Sequence, residues 1–148
     1  MDEKPSETAV TAWARLLRAQ QVLLERVEAE LKQADLPPLE WYDILLELKR
    51  EESGRLRQFE LAGKVLLSKY NLSRLLDRLE DSGLVKRQPC KEDARGSDVT
   101  ITTAGRALQK KMWPVYQNAI GRHFARHLSA ADAEQLAELM QRMIAIPA

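Results

Sequence analysis

Two groups of side chains in this chain could do chemistry, and both suit an anion. The first is the run "KEDARGSD", where Asp93 stands two residues before Arg95 and Gly96 follows. Glycine permits a sharp turn. A carboxylate two residues away can hold a guanidinium by a paired hydrogen bond. An arginine held at a loop tip suits the narrow, negative minor groove of DNA. The plainer alternative is an Asp–Arg pair that closes a surface turn and contributes little. The second group lies in "SKYNLSRLLDRLEDSG". Leu72, Leu75, Leu76 and Leu79 recur at i, i+3, i+4 and i+7, the stripe of an amphipathic helix. Tyr70, Ser73, Arg74 and Asp77 recur with the same spacing on the opposite side, and Lys69 and Asn71 lie in the first turn. Arginine bridges guanine acceptors, asparagine pairs with adenine, and serine and lysine reach phosphates. The helix N-terminus adds partial positive charge. Arg87 and Lys91 can contact backbone phosphates. Any surface helix has a polar outer face, and Asp77 opposes a polyanion unless it braces Arg74 or Arg78.

The elements that must hold these groups follow from periodicity and punctuation. Val10, Trp13, Leu17, Leu24, Val27 and Leu31 form a narrow seam on a long helix that ends near Ala34. Such a seam serves pairing with another helix or packing within the chain. Pro37 and Pro38 open the next helix, which carries Leu39, Tyr42, Leu45 and Leu46 and stops by Gly54. "RQFELAGKV" is a brief helix, and Ser68 caps the one after it, which Gly83 stops. This is a helix-turn-helix pattern. "LVKRQPC" and "DVTIT" read as a two-stranded hairpin around a polar loop, with Pro89 at an edge or near the turn. Thr102 or Thr103 caps a long helix that Pro114 kinks or interrupts. Ser129 begins the last helix in a capping-box-like "SAAD", and Leu136, Leu139, Met140, Met143 and Ile144 form its apolar face. The expected fold is mainly α with a small β-hairpin wing.

Composition narrows the partner. The net charge of +1 hides an uneven distribution: residues 1–54 carry net −5, residues 55–111 net +6, and residues 112–148 zero. The basic excess coincides with the helix-turn-helix and hairpin, as a polyanion partner requires. No run of about eighteen apolar residues exists to span a membrane. The acidic start lacks a signal-peptide core. The single cysteine, Cys90, has no partner for an internal disulfide. A cytoplasmic location is therefore expected.

The order helix, turn, helix, strand, basic loop, strand, long helix resembles the MarR family of winged helix-turn-helix transcription regulators. The resemblance spans nearly the whole chain and centres on "ELAGKVLLSKYNLSRLLDRLEDSGLVKRQPCKEDARGSDVTITTAG". It implies a recognition helix from Ser68 to Arg78, with "GLVKR" entering the wing and "DAR" at its tip. The DNA contacts expected are Ser68, Lys69, Tyr70, Asn71, Ser73, Arg74, Arg78, Arg87, Lys91, Asp93 and Arg95. Two departures are Ala94, where the family usually has another arginine, and Asn71, where threonine is common. The resemblance further implies one protomer over 1–148. Its DNA-binding lobe would be 36–102 and its dimerisation helices 6–34 and 103–146. The expected partners are double-stranded DNA, a second copy, and a small aromatic or phenolic anion bound between dimer helices and DNA-binding lobe. Trp13, Trp41, Tyr42 and Trp113 could line that cleft, and Arg15 or Arg18 could meet a carboxylate. Each of these is also a natural core or seam residue.

Other functions leave weaker traces. His123 and His127 are four apart on a helix and could share a metal, but no cysteine or acid within a turn completes a site. No Ser/His/Asp set and no glycine-rich phosphate loop is present, so neither catalysis nor a cofactor is expected. Cys90 lies between Arg87 and Lys91, where a thiolate could be stabilised, so a thiol-based redox regulator is one alternative. A winged helix used for protein contact alone is another.

The tip yields a test. Arg95→Ala should weaken operator binding by about 1–3 kcal/mol. Lys91→Ala should mainly lower the salt slope by about one. Asp93→Ala should weaken binding slightly, where simple charge counting predicts tightening. The three variants are to be titrated on one operator at two salt concentrations. Tighter binding by Asp93→Ala, with Arg95→Ala no worse than Lys91→Ala, would reduce the tip to a charged turn.

Overall fold

The computed structural model describes residues 3–65, 67–89 and 96–145. Cys90, Lys91, Asp93 and Arg95 lie outside the described residues. The elements are α1 (Glu7–Gln33), α2 (Leu39–Arg50), β1 (Arg55–Arg57), α3 (Gln58–Lys64), α4 (Lys69–Asp81), β2 (Val85–Pro89), β3 (Ser97–Ile101), α5 (Thr103–His123), a 3-10 turn (Ala125–His127) and α6 (Ala130–Ile144). They fall into two compact units. One is Leu31–Val115, and the other joins Met1–Glu30 with Tyr116–Ala148.

The Leu31–Val115 unit is built on the leucine stripe of α4. Leu72, Leu75, Leu76 and Leu79 are at most 3% exposed, and they pack with Ile44, Leu45 and Leu48 of α2, Leu61 of α3, and Val85 and Val99 of the sheet. Removing such side chains from water is the main favourable term, about 1.5–3 kcal/mol for each. Both ends of α4 are set locally. The Ser68 hydroxyl accepts the Asn71 N–H at 3.2 Å. At the other end Gly83 takes φ +76°, and the Gly83 and Leu84 amides return to the carbonyls of Glu80 and Leu79, both at 2.9 Å. This closure satisfies the last carbonyls and buries Leu84 beneath the turn. α1 ends in the same way, with Asp35 at φ +57° in the position glycine usually takes.

The sheet has three antiparallel strands in the order β1-β3-β2, where the sequence predicts only a two-stranded hairpin. The extra strand is "RLR", with Leu56 opposite Val99 and buried between two arginines. Three residues are too short to show alternation, so the strand exists because β3 offers it a paired edge. β2 pairs with β3 from Val85↔Ile101 to Pro89↔Ser97. Pro89 thus ends an edge strand, where its missing N–H removes no inner ladder bond. α5 continues through Pro114 as one helix.

The start of α5 is pinned to the turn after α4. Thr102 is its cap: its hydroxyl donates to the Gly83 carbonyl at 2.7 Å and accepts the Gly105 N–H at 3.0 Å. Its own amide donates to the Leu84 carbonyl at 3.0 Å. Gly105 then lies so close to the Leu84 carbonyl and the Ile101 side chain that a Cβ would collide with both. In the other unit Ser129 and Asp132 form a reciprocal capping box at the start of α6, and no residue of α6 is buried.

Gly105→Ala should lose about 1–3 kcal/mol of stability, because the colliding neighbour is backbone and cannot swing away. Gly63→Ala is the control, since a methyl group there meets nothing within 4 Å. It lies in helix α3 and should be neutral or stabilising by up to ~1 kcal/mol. Urea unfolding of both variants decides. Equal stability of Gly105→Ala and the parent would show that the α5 start is not held against Leu84.

Candidate nucleic-acid interface

With its leucines inward, α4 has one possible outer face. Tyr70 is 68% exposed, and Asn71, Arg74, Asp77 and Arg78 are exposed beside half-buried Ser73. Lys69 opens the helix and Ser68 caps it. The Arg74 guanidinium carbon stands 5.5 Å from the Tyr70 ring centroid. That cation–π contact limits the arginine's rotamers while the residue stays exposed. Leu67 and Glu40 of α2 join Asn71, Arg74, Leu75 and Arg78 around a shallow groove beside this face. Sequence periodicity had no means of bringing Glu40 there.

Arg87 is placed otherwise than expected. Its Nη2 donates to Asp77 Oδ1 and, at 3.0 Å, to Glu80 Oε1, which also receives Nε at 3.3 Å. Its backbone N–H donates to Glu80 Oε2 at 3.0 Å. Arg87, read from the sequence as able to meet a phosphate, is engaged in an internal ion cluster in this structure. Asp77 braces neither Arg74 nor Arg78 but the strand behind the helix. The Arg87 backbone N–H, and next its side chain, hold the Glu80 carboxyl below the usual carboxylate range. Burial works against the charged Arg87, but hydrogen bonds to Asp77 and Glu80 outweigh it and raise its pKa.

The residues proposed to line a ligand cleft are divided between the units. Trp41, Tyr42 and Trp113 belong to Leu31–Val115, whereas Trp13 and Arg15 are exposed on the part of α1 in the other. Tyr42 is 3% exposed and stacks on Trp113 at 6.2 Å between centroids and 17° between planes. Its hydroxyl accepts from buried Gln109 at 3.3 Å, and Gln109 accepts from Lys49 at 2.8 Å. In this structure these residues clamp α5 to α2. His123 bonds Glu30 at 2.8 Å, with Arg122 on the other carboxylate oxygen. Among the described residues, no group of three or more His, Cys, Asp or Glu could hold a metal ion. No helix among them is long and apolar enough to cross a membrane.

Two short helices in tight succession, an exposed polar face on the second, and a hairpin behind it define a winged helix-turn-helix protein. A sequence model of the MarR family matches residues 34–96. Over that segment and in fold the chain is similar to MarR family transcription regulators. AbsC, a MarR family transcriptional regulator from Streptomyces coelicolor, is 28% identical with a TM-score of 0.84, over 97% of this chain and 96% of that one. Sco3205, a MarR family regulator from the same organism solved in complex with DNA, is 25% identical with a TM-score of 0.87, over 98% of this chain and 90% of that one. BpsR of Bordetella bronchiseptica shares the fold at 20% identity, with a TM-score of 0.79 over 90% of this chain and 98% of that one.

The Arg87 cluster sets a pH dependence. Glu80 is held below its ordinary pKa, so the stability it contributes is present above the ordinary value. It is lost as pH falls through the lowered one. The β2–α4 junction should therefore stay closed through the ordinary glutamate range and loosen only below it. Carboxyl NMR titration checks this: Arg87→Gln should move the Glu80 midpoint upward. An unmoved midpoint would rule out Arg87 as its cause.

Proposed function

We propose that the protein acts as a homodimeric repressor, released by a small aromatic anion, on an operator with inverted half-sites. The exposed face of α4 carries this reading, because Tyr70, Asn71, Ser73, Arg74 and Arg78 stand where base edges and phosphates can be met. Ser68 and Lys69 would serve the phosphates from the helix start. Arg95, held by Asp93, would enter the minor groove, with Lys91 on the backbone. Residues 36–102 would form the DNA-binding lobe, and helices within 6–34 and 103–146 the dimer. Support for dimerisation comes from apolar side chains left in water. Val10, Trp13, Leu17 and Leu24 of α1 are 43–61% exposed, and Met143 and Ile144 of α6 are 60% and 76% exposed. An apolar surface of that extent marks a contact with another chain.

A ligand switch is supported by the aromatic residues of α2 and α5 and by BpsR, whose DNA binding is regulated by 6-hydroxynicotinic acid. The anion would draw on Trp41, Tyr42 and Trp113 and shift the spacing of the two DNA-binding lobes of the dimer. By reciprocity, DNA then weakens ligand binding by the same factor. A cytoplasmic regulator is the setting in which such a switch works.

One experiment tests the reading. Fragments selected from genomic DNA are footprinted at increasing protein, with and without a panel of aromatic acids. The expected outcome is paired protection centred about 10 bp apart, weakened by at least one acid, with a dimer in sedimentation. A monomer protecting one asymmetric site would contradict the dimeric reading. No shift with any fragment would leave a winged helix used for protein contact.

A further inference from the structure

The recognition helix carries its own obstacle. Asp77 continues the row that begins with Tyr70 and Arg74, and Glu80 follows one turn later. Two carboxylates on that flank would repel a polyanion. Both are held by one side chain from another element. Arg87 of β2 reaches back ten residues to Asp77 and seven to Glu80, and Glu80 takes its backbone N–H as well. The Arg87 side chain is 21% exposed against 59% for Asp77, so the guanidinium sits behind the acids and not in front of them. A planar fork with fixed donor directions can grip two carboxylates at once, and an ammonium group cannot reproduce that.

We propose that Arg87 is a positioning residue that sets DNA specificity: it cancels the two acids of α4 and fixes the root of the β2–β3 hairpin against that helix, so both meet DNA as one rigid piece. The inference rests on the reading of α4 and the hairpin as the elements that contact DNA. It differs from a phosphate contact in what it protects. A phosphate ligand contributes equally to every sequence and to the salt slope. A clamp contributes to the difference between the right sequence and any other.

The test uses the full chain, one operator fragment selected from genomic DNA, and an unrelated fragment of equal length. Arg87→Lys keeps the charge but loses the fork. It should lower the ratio of operator to unrelated-DNA affinity about tenfold, with the salt slope unchanged. The double variant Asp77→Asn with Glu80→Gln removes two negative charges. It should bind unrelated DNA more tightly and the operator more weakly. Without DNA, the Arg87 amide of the double variant should exchange hydrogen faster than in the parent, while α2 and α5 keep their protection. The proposal is overturned if Arg87→Lys matches the parent on both fragments while Arg87→Gln weakens both equally and lowers the slope by about one. Tighter operator binding by the double variant also overturns it. Should the parent bind no fragment, the DNA reading of α4 fails, and the exchange measurement alone decides whether the clamp exists.

Discussion

The burial of the α4 leucine stripe is the constraint on which everything else depends. Four leucines at most 3% exposed fix the rotation of that helix about its own axis. A helix so fixed has no freedom over which side chains it shows. Tyr70, Arg74 and Asp77 face outward because Leu72, Leu75, Leu76 and Leu79 cannot. The ends are equally determined: the Ser68 hydroxyl sets the first turn, and Gly83 turns the chain into β2. The choice of side chains that α4 exposes is thus a consequence of core packing.

The turn after Gly83 then carries a second duty. Leu84 is buried beneath α4, its amide closes the helix, and its carbonyl receives the Thr102 amide. Gly105 lies against that same carbonyl with no room for a side chain. One residue therefore joins the end of α4, the start of β2 and the start of α5. The chain further locks α5 to α2 through Lys49, Gln109 and Tyr42, with Trp113 stacked on the tyrosine. The buried Gln109 amide is bonded at both its oxygen and its nitrogen, which is how a polar group is tolerated in a core.

Most of this was legible in the sequence, and the failures have physical reasons. Ser68, Gly83, Thr102 and Ser129 act through neighbours within a few residues, so local rules find them. β1 escaped because three residues carry no period, and its pairing with β3 spans about forty residues of chain. From charge alone Arg87 reads as a phosphate ligand, and its ion cluster with α4 is not visible that way. Strand alternation held the missing clue. Val85 and Arg87 are two apart and share one side of β2, and Val85 is buried, so Arg87 also points toward α4. Asp77 and Glu80, three apart on that helix, then stand where a cation arrives. Tyr42 and Trp113 read equally well as ligand or packing residues, because aromatic type alone does not distinguish the two.

Exposed surface differs in kind between the two units. In the Leu31–Val115 unit the exposed side chains of α4 are mostly charged or polar. In the other unit α6 buries nothing, and α1 leaves Val10, Trp13, Leu17 and Leu24 in water. A lone protein gains nothing from holding such a seam on a regular helix. The seam is regular over α1, and the last helix repeats the pattern with Leu139, Met143 and Ile144. Acidic and neutral segments carry these apolar faces, while the basic excess is confined to residues 55–111. Under the proposed function, the basic excess would favour a polyanion at one unit and the apolar seam would favour a second copy at the other. A two-fold pair is the simplest closed arrangement in which one apolar face covers its copy. It would also present α4 twice, and two linked contacts hold a repeated site more tightly than one without adding a residue.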